Sequence, residues 1–222
     1  MDAKETALAQ KRYNRQAFHY DLTEIPWELM ATRRLRKLLW GQVGEGTLLE
    51  VGVGTGKNLP YHPQGARVVA LDISPRMLRR AAGRARRLGR DVDLLLGDAQ
   101  RLPFRDGAFD TAVATFVFCS VPDPIAGLGE VRRVVRDGGR VHLLEHVRAR
   151  NPVAGRIMDL LNPIWVRLMG ANINRDTVAN VATAGITADA VESRFGIFRI
   201  IRGSKGLPRP ESVTRQVGLE VG

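Results

Sequence analysis

The residues best suited to chemistry stand at the ends of apolar runs. Gly52, Gly54 and Gly56 occupy alternate positions directly after the run that ends in Glu50-Val51, and without Cβ atoms the backbone there can turn tightly and approach a ligand. Asp72 closes a second run, Arg67–Asp72, 22 residues after Glu50. A carboxylate at that point can accept hydrogen bonds from both hydroxyls of a ribose. Asp98 follows a third run, Val92–Gly97; it can accept from an exocyclic adenine amine, while the next backbone N–H, that of Ala99, donates to a ring nitrogen. Each has a plainer explanation alone, a tight turn for the glycines and helix capping for the two aspartates.

Spacing decides between nucleotide sites. A phosphate-cradling loop needs glycine five residues before Gly56-Lys57 and a hydroxyl after the lysine, but Val51 and Asn58 stand there. A dinucleotide loop places its third glycine one residue later than Gly56, where Lys57 is found. Contacts for ribose and adenine without a pyrophosphate loop suggest S-adenosylmethionine.

The elements that must position these residues follow a strand-helix rhythm. Thr47–Gly52, Arg67–Asp72, Val92–Gly97, Asp110–Phe118 and Arg140–His146 read as strands, several continuously apolar as in a parallel sheet buried on both faces. Ser74–Leu88 opens with Ser-Pro, a helix start, and Asp123–Arg136 runs into the stop Asp137-Gly138-Gly139. The order predicts an α/β, doubly wound, mostly parallel sheet with its ligand crevice at the carboxyl ends of the strands. Helical patterns at Ala3–Phe18 and Pro26–Trp40 precede it. In the second, Trp27, Met30, Ala31, Leu35, Leu38 and Leu39 fall on one side and Arg33, Arg36 and Lys37 on the other. After the sheet, Pro152–Met169 is apolar and interrupted by Asn162-Pro163; these flanks are placed to cap the crevice. From Gly203 onward the chain reads as a poorly ordered tail.

On LLEVGVGTG, LDISPRML, GDAQRLPFRDGAFD, FVFCSVPDP and EVRRVVRDGGRVHLLEH, in that order over residues 47–146, the chain resembles the class I S-adenosylmethionine-dependent methyltransferases. The resemblance implies a Rossmann-like methyltransferase fold with an N-terminal helical lid, and S-adenosyl-L-methionine as cofactor. It puts the loop of Gly52, Gly54 and Gly56 at the methionine portion, Asp72 at the ribose, Asp98 with Ala99 at the adenine, Ile73 against the adenine ring and Phe116 at the closing wall, and it counts Glu50 among the cofactor-binding residues. It divides the chain into a lid or membrane-facing segment (1–40), the methyltransferase domain (41–204) and a tail (205–222). Tyr13 with Tyr20-Asp21 and VPDPIAGLGEVRRV look most like bacterial phospholipid N-methyltransferases that act on phosphatidylethanolamine. The stretch from Glu145 to Thr177 is also similar to thiol methyltransferases. Quinone methyltransferases share the layout but carry a different segment where this chain has FVFCSV.

Length and charge bound the partners. The chain has 222 residues, 44% of them hydrophobic, a net charge of +11 and one cysteine, Cys119. That balance suits one globular domain in a reducing compartment, with no internal disulfide or cysteine-cluster metal site. No apolar run is long enough to span a bilayer and the first residues lack a secretory pattern, so a cytoplasmic protein, free or peripheral on the cytoplasmic membrane, is expected. With 6% aromatics and no recognition motif, nucleic acid is not the expected partner; an anionic membrane surface and a phospholipid or other amphiphilic acceptor are. The arginines between Arg76 and Arg90 face either solvent or such a surface. His142 reads as a core side chain, Cys119 as a small buried one, and His19 and His62 as surface or lid. Tyr20 and His146, at the two sides of the crevice mouth, are the candidate catalytic residues for orienting an amine or receiving its proton.

Overall fold

The computed structural model describes residues 3–18, 20 and 31–206. In chain order they form α1 (Ala3–Gln16), α2 (Arg33–Trp40), β1 (Thr47–Val51), β2 (Arg67–Asp72), α3 (Pro75–Leu88), β3 (Asp93–Leu96), β4 (Phe109–Thr115), α4 (Pro124–Val134), β5 (Val135–His146), α5 (Pro152–Met169), α6 (Thr177–Thr183), β6 (Thr187–Arg194) and β7 (Phe198–Ser204). A seven-stranded sheet has the order β3-β2-β1-β4-β5-β7-β6. Strands β1 to β5 pair in parallel, and β7 runs antiparallel to both β5 and β6. The order reverses between β1 and β4, and at such a switch point helices leave on opposite faces and open a crevice.

The apolar runs become central strands because both faces are covered. One face packs Leu49, Val51, Ala112 and Leu143 against Leu128, Val131 and Val134 of α4 and Val181 of α6. The other sets Leu48, Val113 and Leu144 under Leu35, Leu39 and Trp40 of α2. Helix starts are written in side chains: Ser74 accepts from the Met77 N–H, Asp123 from Ala126 and Asn151 from Val153 and Ala154, each followed by proline at the first helical position. All three helices therefore begin at the strand ends where the crevice lies.

Several sequence expectations change. The fourth strand stops at Thr115, short of Phe118, because Phe116 takes φ +58°, outside the extended range. The helix before the Asp-Gly-Gly segment ends at Val134, and Val135 already pairs with Phe109. Asn162-Pro163 does not interrupt α5; the Asn162 side chain accepts from Ile173 N–H and donates to Asn172, which anchors the helix where proline removes a backbone bond. Arg36 is on the buried side of α2 and Leu38 on the exposed side, the reverse of the periodicity. Asp21, Trp27 and Met30 lie outside the described residues, as do His19 and residues 207–222. The expected tail begins too early: Gly203 and Ser204 belong to β7, and Lys205 donates to the Gly139 carbonyl.

Gly203 sits between β5 and β6 with no room for a side chain. A Cβ there would lie 2.7 Å from the Thr187 carbonyl oxygen and 2.9 Å from Ile186 Cγ2. Gly203→Ala is expected to lower stability by about 1–3 kcal/mol through overpacking, read as a lower urea midpoint at unchanged slope; an unaltered midpoint would mean that this edge of the sheet is not part of the cooperative unit.

Candidate active site

A cavity of about 440 Å³ opens at the carboxyl ends of β1, β2, β4 and β5. Its floor is the glycine turn. Gly52 and Val53 donate to the Leu71 carbonyl at 2.8 and 3.0 Å, which ties the turn to β2. Gly54, at φ +55°, has nothing within 4 Å of where a Cβ would point, and it lines the cavity. A ligand can therefore lie against bare backbone at Gly54. Gly56 does not line the cavity; a Cβ there would meet Leu59 at 2.6 Å and the Ala81 backbone at 3.2 Å. Its role is close packing of the turn on α3.

Asp72 holds the next wall. One carboxylate oxygen accepts from Gly54 N–H and the other from Ser74 N–H, both at 2.8 Å. Burial is the main influence on this carboxyl and pushes it up to about 6, against the pull of those N–H groups. Each oxygen keeps lone-pair capacity for a ribose hydroxyl. Ile73 and Met77 line the cavity alongside. Asp98 and Ala99 line it further along, where Asp98 accepts from the backbone and side chain of Gln100 and from the Thr6 hydroxyl of α1.

That contact belongs to a row by which α1 crosses the crevice. Gln10 donates to the Ile73 carbonyl at 2.9 Å, and Asn14 accepts from the Ser74 hydroxyl at 2.7 Å. Between them Tyr13 turns into the cavity, where burial drives its phenol well above the usual range, so it stays protonated.

Glu50 is displaced from its expected role. It is wholly buried, does not line the cavity, and accepts from Asn58 at 2.6 Å and pairs with His62 Nε2 at 2.8 Å. Asn58 and the Thr115 hydroxyl in turn accept from Arg36 at 2.9 and 2.7 Å, and the Arg36 guanidinium lies 5.2 Å from the Phe116 ring centre. Glu50 thus buttresses the turn from behind, and His62 is a core residue. The periodicity reading missed Arg36 because it treats every arginine on a helix as outward-facing.

A third buried carboxylate, Glu145, is not announced by the sequence. It accepts three successive backbone N–H groups, from Val117 and Phe118 at 3.0 Å and from Cys119 at 3.3 Å. Burial still pushes it up to about 7. This clamp fixes the loop after β4, whose residue Phe116 has the left-handed backbone and presents its ring to the cavity. Cys119 also lines the cavity, but burial and the nearby Glu145 raise its thiol, so a thiolate nucleophile is absent there.

His146 and Tyr20 both line the same cavity. Burial lowers His146 to about 4, which leaves it neutral at pH 7, and its Nδ1 is buried with no hydrogen-bond partner among the described residues. The Lys57 ammonium stands 5.2 Å from the Tyr20 ring centre. His142, by contrast, is a buried neutral side chain in β5, lowered to about 4 by burial and by Arg140 and Arg202.

The family described as "Methyltransferase domain" matches residues 49–143. These residues, fewer than half of the chain, are similar to that family. This segment contains the turn, Asp72, Asp98 and the clamped loop, and its cofactor is S-adenosylmethionine. Among relatives, the chain is 35% identical to a demethylmenaquinone methyltransferase of Renibacterium salmoninarum over 71% of this chain and 65% of that one. It is 40% identical to a phosphatidylethanolamine N-methyltransferase of Cereibacter sphaeroides over 49% and 55%, and 39% identical to a thiol S-methyltransferase of Homo sapiens over 50% and 47%. The chain thus spans about half to two thirds of the length of these curated relatives. A solved S-adenosylmethionine-dependent methyltransferase of Thermotoga maritima has the same fold, with TM-score 0.65 at 24% identity over 89% of this chain and 99% of that one.

The cradle fits the methyltransferase cofactor: bare backbone at Gly54, an acceptor pair at Asp72 and a further carboxylate at Asp98. Asp72→Ala is expected to weaken S-adenosylmethionine binding by about 1.5–3 kcal/mol in calorimetry. The pH dependence has a definite sign. Because the free carboxyl is raised to about 6, it takes up a proton as pH falls through 6 and loses acceptor strength, so affinity should drop between pH 7 and 5 in the wild type and stay flat in Asp72→Asn. For the clamp, Glu145→Gln replaces one acceptor oxygen by an amide donor facing backbone N–H groups. It should cost about 1–3 kcal/mol of stability and lower turnover; unchanged denaturation and turnover would show that the loop holds itself.

Proposed function

We propose that the protein transfers a methyl group from S-adenosylmethionine to the amine of phosphatidylethanolamine, and of its partly methylated forms, at an anionic membrane surface. When bound, S-adenosylmethionine supplies a methyl group on a positively charged sulfur, which a nucleophile displaces. In this reading Gly52 and Gly54 hold the methionine portion, Asp72 the ribose, Asp98 and Ala99 the adenine, and Ile73 packs on the ring.

The observation that carries the acceptor class is the composition of the remaining wall. Of seven Phe, three Tyr and three Trp in the chain, five line this cavity: Tyr13, Tyr20, Phe116, Trp165 and Phe198. Aromatic faces attract ammonium groups, including methylated ones that have lost their N–H donors. His146 complements them as a neutral side chain beside the amine, since burial keeps its ring unprotonated at pH 7. Positioning the nitrogen in a site that excludes water then contributes more than proton transfer does. The likeness to the Cereibacter enzyme and the net charge of +11 support the same acceptor.

An aromatic wall also suits a quinone ring, and other relatives act on demethylmenaquinone or thiols, as their names state. The assay is release of S-adenosylhomocysteine with phosphatidylethanolamine in mixed micelles, with a small thiol and a quinone precursor in parallel. Mono- and dimethylated lipid is the expected product; methylation of the thiol or quinone with none of the lipid would overturn the proposal. Tyr20→Phe and His146→Ala are each expected to reduce turnover by roughly 10- to 100-fold, within the range usual for positioned acid–base groups, while S-adenosylmethionine affinity stays within twofold. Wild-type turnover in both variants would remove these residues from the site.

A further inference from the structure

Helix α5 rests on the body through a mixed side, with Gly155 buried and Ala154, Met158, Asn162 and Val166 half-buried. Helices on soluble proteins turn an apolar stripe to the core, yet here Asp159 faces Arg148 at 2.8 Å and Asn174 at 3.1 Å, and Asn162 binds Asn172 and Ile173. Met158 and Trp165 of the same helix line the cavity. Five large apolar side chains are turned out: Val153 is 68% exposed, Ile157 52%, Leu160 78%, Leu161 46% and Ile164 59%. Steps of three and four residues place these five on one side of the helix. Arg156 and Arg167, both exposed, border that side, and the one acid of the helix, Asp159, is matched by Arg148.

No helix among the described residues is long and apolar enough to cross a membrane. An outward apolar stripe edged by arginines has instead the make-up of a helix that lies in the plane of a lipid interface. We propose that α5 lays the Val153–Ile164 face into the interface of an anionic bilayer, with Arg156 and Arg167 toward the headgroup phosphates. Charge selects this occupant over a second copy of the chain. Two copies joined through this face would bring their arginines together on molecules that each carry +11, whereas an anionic surface neutralises them. The placement also has a consequence for the acceptor, since Met158 and Trp165 on the inner side make α5 a shared wall between bilayer and cavity. What passes along that wall rests on the lipid-acceptor reading above; the docking itself does not.

The test uses the full chain and vesicles of phosphatidylcholine, with and without phosphatidylglycerol, in a flotation assay. Wild-type binding should rise with phosphatidylglycerol and fall with salt. Ile157→Gln, Leu160→Gln and Ile164→Gln combined, all at exposed sites away from the cavity, should weaken vesicle binding by about tenfold or more. S-adenosylmethionine affinity and methylation of a water-soluble short-chain phosphatidylethanolamine should stay at wild-type levels. Wild-type vesicle binding by the triple variant would overturn the proposal, as would a dimer that the triple substitution dissolves in a protein indifferent to vesicles. Loss of vesicle binding in a protein that methylates no phosphatidylethanolamine would leave the docking in place and remove the acceptor reading alone.

Discussion

The Asp72 carboxylate joins the two sides of the crevice. It receives the Gly54 N–H from the turn after β1 and the Ser74 N–H from the start of α3, so a single side chain sets the distance between the glycine floor and the helix wall. Burial opposes its charge, and the two backbone donors offset that opposition. The same device recurs at two other strand ends. Glu50 receives Asn58 and His62 beneath the turn, and Glu145 receives three N–H groups of the loop after β4. Three acidic residues at or next to the ends of their strands thus hold the loops that surround the cavity. A buried carboxylate is costly unless hydrogen-bonded, and here each is bonded to a loop that must keep one shape.

Such carboxylates mark both the reach and the limit of reading the chain as letters. The parallel core was legible because burial on both faces favours runs rich in apolar residues, and β1 and β4 are buried along nearly their whole length. Asp72 and Asp98 were legible because they follow their runs at strand ends. Glu50 and Glu145 sit within runs, where sequence shows that a charge is present but not what neutralises it; the partners of Glu145 are 26 to 28 residues away. Strands β6 and β7 were missed for a different reason. β6 is an edge strand of mostly exposed residues, so no apolar alternation announces it, and β7 carries Arg199 in a buried position, bonded to Ser193 and to carbonyls nearby.

The two sides of the cavity differ in kind. In the proposed reading, backbone and carboxylates dominate the cofactor side, and the residues come from the segment with a matching family, 49–143. In that reading the walls of the acceptor side come from α1, Tyr20, α5 and the segments around His146 and Phe198, nearly all outside that segment. This division has a physical basis: binding one cofactor needs the same few hydrogen bonds in every such domain, while acceptors differ in size and polarity and are met by side chains from the flanks. Sequence pattern reports the first side well for that reason. The second depends on how α1 and α5 pack, including an α5 that turns large apolar side chains out.

Ligand choice by the wild-type protein tests the central claim most directly, that this crevice is built for an adenosine carrying a sulfonium rather than for a dinucleotide. Calorimetric titration with S-adenosylmethionine, S-adenosylhomocysteine and NADH under one condition separates the two. One saturable site shared by the first two ligands, with no heat from NADH, is the expected result. Saturable NADH binding with none of S-adenosylmethionine would contradict the account at its base.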